Sequence, residues 1–236
     1  MKTIVLSAGH GGKDPGASYN GVREKDVNLA VTLACRDYLN DNYTGHTLVL
    51  PRATDVWVSL PDRRELTRKV NADLYVSIHH NAYNIPSANG FSTYVHSGPL
   101  FGVTLRYREI LHKTVYDYVK TLGIRDRGMK RGDHWVTREM PAQTVLMEYM
   151  FLSNVREAGI ARTPAVQQNL GKYTALGVAE ALNLPRKTAP TPPPPQTDVW
   201  YRVLAGSWRN RVYAEAAVAR LKGLGYDAFI EVRHDE

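Results

Sequence analysis

Two histidines and two glutamates occupy positions in this sequence where metal-dependent chemistry would need them. His10 follows an apolar run at residues 3–6 and lies among glycines, which allow the backbone to turn sharply and approach a ligand closely. His79 ends a second apolar run, and Glu148 lies inside a third. Taken singly, a histidine at a strand end is more often a structural residue. A buried carboxylate, however, is costly unless a cation or a metal compensates its charge.

Two histidines and a glutamate are a common ligand set for catalytic zinc, which keeps a fourth position for water. Glu24 begins a predicted helix close in sequence to the His10 loop, where the helix dipole equally explains a carboxylate. Zinc lowers the pKa of its bound water to roughly 7. A second carboxylate can take the proton of that water and return it to a leaving amine, and we assign this role to Glu148.

The elements that position these residues alternate between strands and helices. Apolar segments at residues 3–6, 72–82 and 142–154 predict buried strands. Segments at 24–43, 60–72, 102–123 and 163–184 predict helices, the second of them with Pro61 at its start. This alternation predicts an α/β fold, with a sheet covered by helices on both faces. In open α/β sheets, ligands bind beyond the carboxyl ends of the strands, which is where His10, His79 and Glu148 lie.

A proline-rich segment divides the chain. Four consecutive prolines at 192–195 cannot continue a helix or a central strand, and they favour an extended spacer. We therefore predict a catalytic domain at 1–184, a linker at 185–197 and a small module at 198–236.

Composition and charge exclude several classes of protein. The 236 residues are 43% hydrophobic and 22% charged, which is typical of a globular protein, and no apolar run is long enough to span a membrane. Cys35, the single cysteine, excludes an internal disulfide and a cysteine-rich metal site. The net charge of +7 is dispersed, without an aromatic-interleaved basic stripe, so it indicates attraction to an anionic polymer and not nucleic-acid binding.

The first 184 residues resemble a known enzyme family. The segments that carry the resemblance are SAGHGGKDPGA, GVREKDVNLAV, RATDVWVSLPDRRELTRKVNADLYVSIHHNA, NGFSTYVHS, RDRGMK and PAQTVLMEYMFLSN. They are similar to the zinc-dependent N-acetylmuramoyl-L-alanine amidases of the amidase-3 type, found in bacterial autolysins and phage endolysins. The resemblance implies a twisted, mostly parallel sheet of about six strands flanked by helices. It also implies hydrolysis of the amide between N-acetylmuramic acid and L-alanine in peptidoglycan.

Carried over residue by residue, the resemblance makes His10, Glu24 and His79 the zinc ligands and Glu148 the catalytic glutamate. Successive strand side chains point to opposite faces, so only one residue of the pair His79-His80 can reach the metal, and the family pattern selects His79.

Further residues near these motifs are weaker candidates. His80 has a substrate-binding or ligand-supporting role, or else it is simply packed, and Asn81 orients a ligand or a loop. Arg127 and Lys130 face an anionic substrate, or they belong to a solubilising loop. We also expect His96 and His134 to be solvated loop residues, and Arg63 and Asp55 to form a structural ion pair.

The last 39 residues resemble the first half of a sporulation-related repeat (SPOR) domain, a module associated with septal peptidoglycan. Their pattern predicts a strand, a helix and a second strand. A complete module has two strand-helix-strand halves of this kind. The resemblance implies wall binding, with Tyr201 and Trp208 as candidate glycan contacts. A half module buries little core, so we also expect it to dock on the amidase or to self-associate with another chain.

The expected partner is therefore peptidoglycan. Because no signal peptide is visible, we expect synthesis in a host cytoplasm and action on the cell wall after release, as for a phage endolysin. Two other functions use the same residues: a zinc peptidase that cuts within the stem peptide, and a non-catalytic wall-binding protein.

Overall fold

A computed structural model describes residues 1–187, 211–223 and 228–230. Strands and helices alternate through the first of these ranges, as predicted. The strands are β1 (Lys2–Ala8), β2 (Ser18–Tyr19), β3 (Val22–Arg23), β4 (His46–Val49), β5 (Leu74–Asn81), β6 (Phe91–His96), β7 (Asp126–Gly132) and β8 (Gln143–Phe151). The helices are α1 (Glu24–Asn42), α2 (Leu60–Lys69), α3 (Gly102–Val119), α4 (Trp135–Glu139), α5 (Val155–Ala161), α6 (Pro164–Leu182) and α7 (Arg211–Gly223).

Six of the strands form one sheet, in the order β4-β1-β5-β8-β6-β7. All neighbours are parallel except β6 and β8, which run antiparallel. The predicted mostly parallel sheet of about six strands, flanked by helices, is confirmed. Strands β2 and β3 form a separate two-stranded hairpin that leads into α1.

The two faces of the sheet carry cores of different size. The larger core includes Leu6, Ile78 and Met147 from three strands, and α1, α3 and α6 cover it. The smaller core includes Val5 and Tyr75, which pack near α4. His79 and Glu148, near the carboxyl ends of β5 and β8, are only partly buried.

Local sequence explains where the helix beside the site begins. The Ser59 side chain accepts a hydrogen bond from the backbone N–H of Asp62, at 3.2 Å, and Pro61 lies in the first turn of α2. Proline fits there because the first N–H groups of a helix have no partner within it. The prediction of a helix starting at Pro61 is thereby confirmed to within one residue.

The chain divides into two compact units, Met1–Thr188 and Ala189–Glu236. Within the second, α7 is present where helical spacing predicts it. The first strand predicted for this module, both ends of the second, Tyr201, Trp208 and most of the linker lie outside the described residues. Residues 228–230, in the middle of the second predicted strand, are described and are not part of a strand. No helix in the described part of the chain has the length and apolar character needed to cross a bilayer.

Candidate active site

Three predicted metal ligands lie together at the carboxyl edge of the sheet. Candidate ligand atoms of His10, Glu24 and His79 are all within 4.8 Å of one another. His10 Nε2 lies 3.0 Å from Glu24 Oε2, and His79 Nδ1 lies 2.8 Å from Glu24 Oε1. The loop after β1 supplies His10, the end of β5 supplies His79, and the first turn of α1 supplies Glu24.

Asp14 fixes the orientation of the His10 ring. The His10 Nδ1–H donates to Asp14 Oδ2 at 2.8 Å, within a tight turn that pairs Gly11 with Asp14. This bond leaves Nε2 directed towards Glu24. A histidine that binds a metal commonly donates its other ring N–H to a carboxylate in this way. Asp14 is not among the residues predicted from the sequence, although its position four residues after His10 was an available signal.

Glu24 is held from several sides. Its Oε1 accepts from the Asn28 side chain at 3.1 Å and from the His80 backbone N–H at 3.3 Å, and its Oε2 accepts from the Ala17 N–H at 3.0 Å. Burial alone would raise the pKa of Glu24, but His10 and His79 outweigh it and hold that pKa well below its usual range. The carboxylate is therefore ionised and ready to bind a cation.

The carboxylates of this cluster also shift the pKa of His10. Burial alone would lower the pKa of His10, but the carboxylates of Glu24 and Asp14 raise it to about 9. A site that holds a proton this strongly is electronegative, and a divalent cation would compensate the same charge.

His80 lies on the opposite face of the sheet and is only 2% exposed. Its Nδ1–H donates to the Asn28 side-chain oxygen at 2.9 Å, and its ring packs 5.5 Å from the ring of Tyr149. Burial lowers the pKa of His80 to about 4, so the ring is neutral. Because adjacent strand residues alternate between faces, this burial favours the ligand-supporting role among the alternatives predicted for His80. His80 supports Glu24 through Asn28.

Glu148 lies directly beside His79 in the sheet, since the two residues are register partners in β8 and β5. Its Oε2 is buried and has no hydrogen-bond partner among the described residues, while the residue as a whole remains partly accessible. Burial, with a contribution from the charge of Glu24, raises the pKa of Glu148 well above its usual value. A carboxyl group with a raised pKa next to a metal site can accept and return a proton near neutral pH.

Two buried arginines donate hydrogen bonds to the backbone carbonyl oxygens that lead into the His10 loop. Arg63, 3% exposed, donates to the carbonyl oxygens of Ala8 at 2.7 Å and His10 at 2.8 Å. Arg52, 2% exposed, donates to the Gly9 carbonyl oxygen at 2.8 Å. The predicted ion pair between Arg63 and Asp55 is wrong, because Asp55 instead pairs with Lys25, at 2.6 Å.

The remaining candidates border the site or support its loops. The Asn81 side-chain oxygen accepts from the Ala82 N–H at 2.8 Å, which orders the chain after β5. Arg127 packs over the Phe151 ring at 4.9 Å and donates to the Asn89 carbonyl at 3.2 Å, so its guanidinium serves the local structure. Lys130 places its ammonium 5.6 Å from the centre of the Tyr94 ring. Substrate contact by Arg127, Lys130 or Asn81 stays a prediction.

His134 and His96, the two histidines predicted to lie in solvated loops, differ in exposure and in position. His134 is exposed, as expected, with its ring edge-on to Tyr94 at 4.8 Å. His96 is not a loop residue, because it ends β6 and is partly buried. Cys35 is fully buried in the larger core, where it packs as a small apolar residue.

Comparisons with known proteins agree with this geometry. The Amidase_3 family, described as N-acetylmuramoyl-L-alanine amidase, matches residues 4–180. The amidase CwlM of Bacillus licheniformis is 32% identical over 233 residues, which cover 99% of this chain and 86% of that protein. The endolysin of Bacillus phage SPP1 is 36% identical over 193 residues, covering 81% of this chain and 70% of that protein.

Solved structures share the fold. The catalytic domain of the N-acetylmuramoyl-L-alanine amidase CwlV, from Bacillus (Paenibacillus) polymyxa var. colistinus, superposes with a TM-score of 0.71 and is 31% identical. The match covers 78% of this chain and 99% of that domain. The chain described here therefore belongs to the Amidase_3 family of N-acetylmuramoyl-L-alanine amidases.

Proposed function

We propose that this protein is a zinc-dependent peptidoglycan amidase that hydrolyses the amide between N-acetylmuramic acid and L-alanine. The observation that carries the proposal is the cluster of His10, Glu24 and His79 within 4.8 Å, with Glu148 as the register partner of His79. Family membership and the similarity to peptidoglycan amidases support the choice of substrate.

The residues present fit a catalytic zinc ion. Two imidazoles and one carboxylate are borderline and hard donors that suit zinc, and three protein ligands leave the fourth position open. Asp14 supplies the supporting carboxylate that zinc-binding histidines commonly have. When bound there, zinc would polarise the amide carbonyl and lower the pKa of water.

The protein's own groups then perform the proton transfers. Glu148 takes the proton of the attacking water and returns it to the departing amine of L-alanine. Its raised pKa suits both roles, because it makes the carboxylate a better proton acceptor than an ordinary glutamate. Asp14 and Asn28 keep His10 and Glu24 oriented during these steps.

The proposal is tested by digesting purified peptidoglycan with the wild type and with Glu148→Gln, with and without a chelator. We expect new N-terminal alanine amines, no new reducing sugar ends, and loss of the amines on chelation or substitution. General acid–base groups contribute about 10²–10⁴-fold, so the variant should fall by that order. Amines on another residue would indicate a peptidase, and a wild type that binds walls without releasing amines would indicate a wall-binding protein.

We also propose that the protein lyses cells as a phage endolysin. The 36% identity to the phage SPP1 endolysin supports this role, whereas the similarity to bacterial amidases such as CwlM favours an autolysin. Expression inside a bacterium whose wall the enzyme digests distinguishes them. An endolysin should lyse the cells only after the membrane is permeabilised, and lysis without permeabilisation would contradict this role.

We further propose that residues 198–236 bind the cell wall as a SPOR-like half module. The alignment with CwlM covers 99% of the chain, so it extends into this unit. Sedimentation with purified walls should weaken for Trp208→Ala and for Tyr201→Ala, with Glu148→Gln as a control that binds normally. Analytical ultracentrifugation of the full chain tests the predicted self-association, which a monomer at all concentrations would contradict.

A further inference from the structure

Among the buried polar atoms that have no hydrogen-bond partner in the described part of the chain, two belong to residues that face each other in the sheet. One is Oε2 of Glu148, and the other is the Oγ of Ser92, a residue that is 0% exposed. Buried hydroxyl and carboxylate oxygens are nearly always paired, because an unpaired one forfeits the hydrogen bonds it made to water. Since the two residues are register partners, one explanation can serve both atoms.

The sheet register makes these two residues neighbours. Ser92 in β6 lies directly opposite Glu148 in the antiparallel β8, and Glu148 lies opposite His79 in β5. Side chains directly opposite each other in such a pair lie on the same face, with Cβ atoms about 4.5–5.5 Å apart. A row of side chains therefore crosses the sheet from His79 through Glu148 to Ser92.

The side chains on either side of Ser92 make their contacts on the other face of the sheet. Phe91 and Thr93 point to the opposite face, where Thr93 Oγ1 bonds the His112 ring at 2.9 Å and Phe91 stacks on the same ring at 4.9 Å. These contacts fix β6 on the far side of the sheet. The Ser92 hydroxyl, by contrast, has no hydrogen-bond partner among the described residues, so it is available to the carboxyl group opposite it.

We propose that Ser92 is the positioning residue for Glu148: its hydroxyl binds Oε2 during the reaction and leaves Oε1 as the oxygen that meets water and substrate. The inference rests on the proposed function and deepens it. A serine hydroxyl both donates and accepts, so one residue can stay bonded to a carboxyl group that gains and then loses a proton. It also prevents the carboxyl group from rotating away from the site.

The test compares Ser92→Ala with Ser77→Ala in the full-length enzyme. Ser77 is a matched control, because it is a buried serine on the same face of the sheet, two residues before His79. Hydrogen bonds to charged groups are strong enough that we expect kcat of Ser92→Ala to fall about 10- to 100-fold. KM, zinc affinity measured against a competing chelator, and the thermal midpoint should stay close to wild type. Ser77→Ala should keep kcat within about threefold.

Two further variants separate positioning from packing. In a Glu148→Gln background, Ser92→Ala should change the residual rate by less than about twofold, because the carboxylate that the hydroxyl holds is gone. Ser92→Thr, which retains the hydroxyl, should keep kcat within about fivefold of wild type.

Three results would overturn the inference: kcat of Ser92→Ala within twofold of wild type, an equal loss in both backgrounds, or a loss for Ser92→Thr as large as for Ser92→Ala. These failures differ from failure of the proposed function, in which the wild type itself releases no alanine amines from peptidoglycan.

Discussion

The ring of His79 occupies the space in which any residue other than glycine at position 9 would place its Cβ. An ideal Cβ built on Gly9 would lie 2.1 Å from Cε1 of His79 and 2.4 Å from its Nε2. The β1 strand and the His79 ring therefore approach each other as closely as they do only because Gly9 has no side chain. This relationship connects the glycines around His10 to the position of a second candidate ligand.

Gly9→Ala should displace the His79 ring and weaken metal binding. Because the clash is with a ring packed beside Glu24, we expect zinc affinity to fall at least tenfold, together with amidase activity, as for other changes to the surroundings of a metal ligand. Competition with a chromogenic chelator measures the affinity. Gly159→Ala is the control, since a Cβ there meets nothing within 4 Å. Unchanged affinity in Gly9→Ala would show that the ring can move aside without cost.

Asp14→Asn should weaken zinc binding through His10 without unfolding the protein. The variant keeps the size of the side chain but replaces the carboxylate that accepts from His10 Nδ1 at 2.8 Å. Loss of such a supporting group typically lowers metal affinity or activity by about 10- to 100-fold. Calorimetric zinc titration checks this, with the exposed Asp37→Asn as control. Equal affinities for Asp14→Asn and wild type would remove Asp14 from the site.

Arg63→Met should destabilise the amidase domain by about 3 kcal/mol or more, because the carbonyl oxygens of Ala8 and His10 would lose charged donors in a buried place. Arg68→Met, on the same helix but exposed and paired only with Glu65, should change stability by less than about 0.5 kcal/mol. Urea unfolding of both variants gives the comparison. Similar midpoints for the two would contradict the role assigned to Arg63.

His112 should make the domain less stable as the pH falls below neutrality. The pKa of His112 lies below its usual value of 6.5, mainly because the ring is buried. The charge of Arg108 also lowers this pKa, whereas the Asp126 carboxylate raises it without cancelling the effect of burial. Below about pH 6.5 the unfolded chain therefore binds more protons than the folded one. The contribution of the neutral His112 to stability is fully present above that pH and is lost as the pH falls towards the folded-state pKa.

The measurement for His112 is the urea midpoint between pH 7.5 and 5. The wild-type midpoint should fall across this range, and His112→Gln, which is neutral throughout, should show a shallower fall. In the neutral ring Nε2–H donates to Asp126 at 3.0 Å, and Nδ1 accepts from the Thr93 hydroxyl at 2.9 Å. Parallel pH profiles for the two proteins would show that other groups cause the loss.

Much of this protein was determined by local sequence. The alternation of apolar strands and amphipathic helices predicted the sheet and its layers, because side-chain period is a local property of the backbone. The same pattern placed His10, His79 and Glu148 at the carboxyl edge, where glycines permit a close approach. The family motifs then selected His79 over His80, and the buried position of His80 agrees with that choice.

Only the tertiary structure decided which residues support these groups. Arg63 reaches the carbonyl of His10 from 53 positions away, and His80 meets Asn28 across 52 positions. Ser92 becomes the neighbour of Glu148 through an antiparallel pairing inside an otherwise parallel sheet. Strand order and register bring such residues together, and neither follows from the period of any one segment. They depend on how all the apolar faces pack against one another at once.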